Sequence, residues 1–273
     1  MTDKIFYNFP IAIFRQVRTD TKDRILFIED TINQAIRYAL FAAYKKRMPP
    51  QSNPNEYNEG VFNSLMEEMG FTVDYDHKKA LQNYAEAYWR HRNNRVFVGV
   101  DKDLLFDFRD NLVYKTDFEI IQFLAFLAIR SIIGAGHYNM RVKHIPWPYV
   151  LSRMAGHEKK VSDINRLPKF ISQYASKRLR VKLINALCER WHMQYYGKYL
   201  GKGRPPLFTF STSIDLAAVV EAEKQQKRAS AGTIHADAAL DKATHQMAII
   251  EPEQVEPLPP VPGMGGNNPG ELW

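Results

Sequence analysis

Between Phe118 and Ser211 the sequence is punctuated into one order of elements: helix, short strand, helix, helix, strand, basic loop, strand. No other stretch narrows the folds open to this chain as far. Asp117 is expected to cap the first helix, Phe118–Ile133, and Gly134 to end it. Phe118, Ile121, Leu124, Ala125, Ala128 and Ile132 give that helix a broad apolar face. Residues 141–145 (RVKHI) alternate charged and apolar side chains, the period of a strand, and Pro146 closes it. A compact helix follows over 147–155; Pro148 sits in its first turn, where no intrahelical N–H bond is lost, and Gly156 stops it. After a charged turn at 157–163, helical character resumes near Arg166, capped by Ser162 or Asp163 and with Pro168 in its first turn. It either breaks near Ser172 or runs on to Trp191. Residues 192–196 (HMQYY) and 207–212 (LFTFST) read as the two strands of a hairpin, joined by the basic, glycine-rich loop 197–206.

Charge is concentrated in the same region. Residues 137–204 hold fifteen Lys or Arg against three acids, a net of +12, whereas the whole chain carries +7. The remainder is therefore acidic by five charges. A localised basic surface is the electrostatic footprint of a polyanion partner. On the last helix before the hairpin, Leu179, Leu183, Ile184, Leu187 and Trp191 share one side, and Arg178, Lys182, Asn185 and Glu189 share the other. Tyr174, Tyr195, Tyr196 and Tyr199 intersperse aromatic rings with this charge, and strand alternation should bury Tyr195 or Tyr196.

The element order over residues 117–212 resembles the winged-helix superfamily of DNA-binding domains, as used by regulators and replication initiators of plasmids and phages. The resemblance lies in the order of elements and not in a sequence signature. The segment between the second helix and the hairpin is longer than in the simplest members. What the resemblance implies is that the last helix enters the major groove of duplex DNA, whose width admits a helix and whose base edges suit Arg, Lys and Asn. Arg178 and Asn185 would then read bases and Lys177 and Lys182 would meet phosphates, because a flexible point charge carries little sequence information. Lys198, Lys202 and Arg204 on the hairpin would track the backbone or the minor groove.

The rest of the chain is mainly helical. Residues 5–17 are apolar and aromatic, broken by Pro10, and suit a strand or an extended arm. Residues 19–47 form a helix with Asp20 or Thr21 as cap, Ile25, Ile28, Ile32, Ile36, Ala39 and Ala43 on one face, and Lys45, Lys46 and Arg47 at its end. Helices are expected over 58–69 and 76–92, the latter with Leu81, Tyr84, Tyr88 and Trp89 in the core. Residues 96–100 are β-like, and 102–109 place Leu104, Leu105 and Phe108 at helical spacing. The basic cluster Arg90, His91, Arg92 and Arg95 reads as a solvated helix end in preference to a nucleic-acid contact. A helical extension is expected over 214–230. The tail 231–273, with six prolines after Glu251, is expected to be disordered.

The fold class expected is thus mainly α with a small β-hairpin: a helical N-terminal region (1–115), a basic winged-helix-like domain (116–213), the extension and the tail. A single cysteine, Cys188, excludes an intrachain disulfide and fits a reducing, cytoplasmic setting; on an apolar helix face it reads as a structural thiol. The apolar window 118–135 carries Glu119, Gln122 and Arg130, which argues for a buried helix over a membrane span. His137, His144 and His157 lack the pairing of a helical metal site. Asp101, Asp103, Asp107 and Asp110 are the one set that metal-dependent nuclease chemistry would use, and read better as a solvated face near a helix start. No catalytic residue, metal or cofactor is assigned. The expected partner is double-stranded DNA, with a protein partner open to the N-terminal region or to the Pro-rich tail. The alternatives are a nuclease or an assembly factor with a basic docking domain.

Overall fold

Alternation builds the first strand. In β1 (Phe6–Pro10) Tyr7 and Phe9 are buried while Phe6 and Asn8 are exposed. Pro10 ends it, and the chain tightens into a 3-10 segment, Ile11–Gln16. The computed structural model describes residues 5–17, 24–48, 57–70, 77–134, 145–198 and 207–211, with 221, 224 and 225. The expected caps Asp20 and Thr21, the strand residues 141–144, His137, Tyr199, the hairpin tip with Lys202 and Arg204, most of the helical extension and the tail lie outside the described residues. The described residues from Ile5 to Ser211 lie within one compact unit.

Three helices follow: α1 (Arg24–Arg47), α2 (Glu59–Glu68) and α3 (His77–His91). The face of α1 is where its sequence period put it: Ile28, Ile32, Ile36 and Ala39 are all buried. Asn58 caps α2 by accepting from the Val61 N–H. α1 and α3 pack through aromatic rings, Tyr38 and Phe41 each lying 5.3 Å from Tyr88. Trp89 does not join that core; it is 39% exposed, because Ala80, Ala87 and His91 take the inward positions of α3. β2 (Phe97–Asp101) then pairs antiparallel with β1, setting Val98 against Phe9 and Val100 against Tyr7 on the buried face. Asp101 caps α4 (Lys102–Asp110), accepting from the N–H groups of Asp103 and Leu104.

The centre is α5 (Asp117–Ile133), which is buried on every side from Ile120 to Ile129. A helix apolar all round belongs inside, and this is why the most hydrophobic window of the chain is neither amphipathic nor a membrane span. Among the described residues no helix is long and apolar enough to cross a membrane. Its cap is Thr116 and not Asp117. Thr116 Oγ1 accepts from the Glu119 N–H, and the Glu119 carboxylate accepts from the Thr116 N–H at 2.9 Å, a reciprocal capping box. That box holds the Glu119 pKa below the usual carboxylate range, helped by Arg190 and Lys115. From one side Phe108 stacks on Phe123 at 4.0 Å; from the other Trp191 lies 4.6 Å from Phe126 and 6.0 Å from Phe123.

Beyond α5 come β3 (Ile145–Pro146), α6 (Trp147–Met154), a 3-10 turn (Ile164–Arg166), α7 (Lys169–Ser172), a second 3-10 turn (Gln173–Ala175), α8 (Lys177–Trp191), β4 (Gln194–Lys198) and β5 (Leu207–Ser211). The three strands form an antiparallel sheet in the order β3-β5-β4. As the central strand, β5 buries Phe208, Thr209, Phe210 and Ser211 alike. The fold is mainly α, with two small antiparallel sheets among the described residues. Two contacts tie the N-terminal elements to the end of α6. Glu158 Oε1 accepts from the N–H groups of Arg95 and Val96, at 2.8 and 3.3 Å, and Gly156 lies directly against the backbone of Phe14 and Arg15.

Candidate nucleic-acid interface

The start of α8 is set by the segment before it. Asp163 caps the first 3-10 turn by accepting from the Asn165 N–H at 2.9 Å. Leu167, preceding Pro168, is pushed to extended backbone, so helix from Arg166 cannot run on. Pro168 therefore precedes α7 and does not sit inside the first turn of a longer helix. The helix α7 ends at Ser172, where the sequence allows a break, and after the 3-10 turn the backbone is again extended at Ser176. Burial explains both breaks. Leu167, Phe170, Ile171 and Tyr174 are all buried, and the Tyr174 carbonyl accepts from Trp147 Nε1 at 2.9 Å. Tyr174 is thus a core residue and not a stacking surface. The helix before the hairpin begins at Lys177.

Its two faces separate as the sequence wheel required. Leu183, Ile184 and Leu187 are buried and Leu179 and Trp191 partly so, while Lys177, Arg178, Lys182, Asn185 and Glu189 are exposed. Trp191 is fixed by Nε1 donating to Gln122 Oε1 at 3.3 Å. Lys182 Nζ sits 4.6 Å from the centre of the Phe118 ring, which holds its ammonium beside the N-terminus of α5 without neutralising it. Val181 is 46% exposed between Arg178 and Asn185. A wheel would have shown it on that face, but as an apolar residue it drew no notice beside the cations. A methyl-bearing side chain there can meet the thymine methyl group.

The hairpin begins later than its sequence implied. His192 adopts left-handed backbone (φ 51) as the residue closing α8, so it and Met193 precede the strand. In β4 Tyr195 is exposed and Tyr196 half-buried. Lys198 ends the strand opposite Leu207, at the edge from which the basic loop leaves.

Not all the counted charge faces solvent. Arg153 on α6 is 4% exposed, its guanidinium over the Tyr149 ring and bonded to the Tyr149 hydroxyl, with no partner for Nε or Nη1 among the described residues. Arg180 is half-buried, 5.4 Å from the Phe208 ring centre. Arg190 pairs with Glu119 at 3.2 Å. Among the described residues of this region Lys159, Lys160, Arg166, Lys169, Lys177, Arg178 and Lys182 are exposed, as is the ion-paired Arg190; they lie on the turn after α6, on the segment leading into α8 and along α8 itself. Burial pushes the Cys188 thiol up, assisted by Glu189, which opposes thiolate chemistry. Three of the four acids have structural partners: Asp101 caps α4, Asp107 accepts from the Asn111 side chain, and Asp110 pairs with Arg109. No group of three metal-ligating side chains forms among the described residues. Lys202 and Arg204 fall outside them. No protein-family model, curated protein or solved structure matches this chain.

Proposed function

We propose that residues 116–213 form a winged-helix unit that binds double-stranded DNA, with α8 presented to the major groove. The carrying observation is the outward face of α8. Lys177, Arg178, Lys182 and Asn185 project from one side, backed by Leu183, Ile184 and Leu187 in the core. The connectivity supports the same reading. A buried helix, a short strand, three further helices (α6, α7 and α8) and a hairpin, with the first strand pairing the last, is the arrangement that holds such a helix proud of the surface. In this reading Arg178 and Asn185 read base edges, Lys177 and Lys182 contact phosphates, and Lys198, Lys202 and Arg204 follow the backbone beside the groove. The protein acts without a catalytic centre or cofactor, in the cytoplasm, as a regulator or a replication-initiation factor of a mobile element.

The test is titration onto labelled random duplex at several salt concentrations. Each phosphate contact contributes about −0.9 to the slope of log affinity against log salt. Replacing Lys177 and Lys182 with Ala flattens that slope by about 2 and weakens all duplexes alike. Replacing Arg178 or Asn185 costs about 1–3 kcal/mol on a selected site and relaxes its sequence preference. No binding to duplex at low salt rejects the proposal.

A further inference from the structure

A second surface, on the N-terminal helices, carries a different chemistry. Trp89 stands on the outside of α3 and is 39% exposed. Two cations from different elements converge on it: Lys45 Nζ from α1 at 4.7 Å and the Arg92 guanidinium, just past the end of α3, at 4.9 Å from the ring centre. Lys45 also lies 5.4 Å from the Tyr88 ring. Neighbouring cations are matched, Arg90 with Glu86 and Arg47 with Glu68, each at 2.6 Å. Lys45 and Arg92 have no carboxylate among the described residues. The aromatic surface continues inward from Trp89. Tyr88 stacks on Tyr38 at 5.3 Å, Tyr38 reaches Phe97 at 6.2 Å, and Phe97 is 42% exposed at the far end.

An exposed indole flanked by two cations that have no carboxylate among the described residues offers an aromatic ring and a place for negative charge within one side chain's reach. A nucleotide with an unpaired base supplies both, its ring stacking on the aromatic and its phosphate meeting the ammonium and guanidinium. A paired base has its faces covered by its neighbours and cannot do this. We propose that Trp89, Lys45 and Arg92 form a binding site for single-stranded nucleic acid, separate from the duplex-binding face of α8. Displacing either cation from the ring loses only the modest attraction of an exposed cation–π pair, which base stacking exceeds, so the exchange favours the ligand.

The experiment measures anisotropy of labelled oligo(dT) and oligo(rU) of about 20 nucleotides on the full chain, beside an abasic oligomer of equal length and a duplex. The wild type binds the base-bearing strands several-fold more tightly than the abasic one. Trp89→Ala lowers that affinity about tenfold, Trp89→Phe retains most of it, and the duplex is bound as before. Lys45→Gln with Arg92→Gln weakens the single strands and flattens their salt slope. Equal affinity of wild type and Trp89→Ala for oligo(dT), at unchanged thermal stability, overturns the site. So does equal binding of the abasic oligomer, and so does a melting-temperature loss in Trp89→Ala with no change in binding, which assigns the cluster to helix packing alone. The duplex arm reports separately on α8, so either proposal can fail without the other.

Discussion

Replacing Gly156 with Ala strikes the point where the N-terminal segment meets the end of α6. Gly156 has φ +72, a left-handed conformation that costs an L residue about 1–2 kcal/mol. A Cβ there would stand 2.3 Å from Arg15 N, 2.7 Å from Arg15 Cα and 2.8 Å from the Phe14 carbonyl carbon. These are main-chain atoms, flanked by the buried Phe14 and Val17, and they cannot swing aside as a side-chain tip would. Overpacking of this kind costs about 1–3 kcal/mol. Against it, Ala lowers the entropy of the unfolded chain, a gain of about 0.4–1 kcal/mol. The net expectation is a loss of about 3 kcal/mol, or a fall in melting temperature of about 10 °C for a unit of this size. Urea unfolding followed by far-UV circular dichroism measures it, with Gly156→Asn as companion. Asn tolerates left-handed backbone but keeps the Cβ, so a clash-dominated site leaves Asn nearly as damaging as Ala. A loss below about 1 kcal/mol for Ala would refute the close approach of residues 14–15 to residue 156.

Thr116→Ala removes the side chain that accepts from the Glu119 N–H and is expected to cost about 1 kcal/mol in chemical denaturation. In the same variant the Glu119 carboxyl titrates closer to its ordinary range, which NMR reads directly. Stability falls as the pH drops below the ordinary histidine value of 6.5. His91 and His157 both have folded pKa values lowered mainly by burial, with Arg90 and Arg15 respectively adding to the shift. The neutral form is therefore the one the fold holds. Its contribution is complete above the unfolded pKa and is lost as pH falls toward the folded one. Melting temperatures between pH 7.5 and 5 should show a decline that His91→Gln reduces; an unchanged slope would remove His91 from the account.

The readable parts of this chain were those governed by local rules. Gly134, Gly156 and Pro146 ended elements where they stand because left-handed backbone and a missing N–H act within one or two residues. The inward and outward sides of α8 followed from spacing alone, since Leu183, Ile184 and Leu187 repeat at three and four. Errors arose where several local choices were possible, some of them selected by contacts distant in sequence. Asp117 and Thr116 can each cap a helix; Thr116 serves because Glu119, three residues on, reaches back to it, a local pairing that the choice of Asp117 passes over. Trp89 has the size of a core residue, but the seam between α1 and α3 was filled by Tyr38, Phe41 and Tyr88.

By itself, the sequence determined a mainly helical chain, the placing of most helices and strands, and the concentration of positive charge before and within the hairpin. These follow from hydrophobic period, backbone stereochemistry and charge count, all of which act over a few residues or merely add. Tertiary structure decided which cations remain in water. Arg153 went inside and Arg180 was half covered against Phe208; Arg190 stayed exposed but paired with Glu119, while Lys177, Arg178 and Lys182 face outward. It also decided that Lys45 and Arg92, 47 positions apart, would share one exposed indole. Burial and pairing depend on what the rest of the chain brings alongside, and no local pattern carries that information.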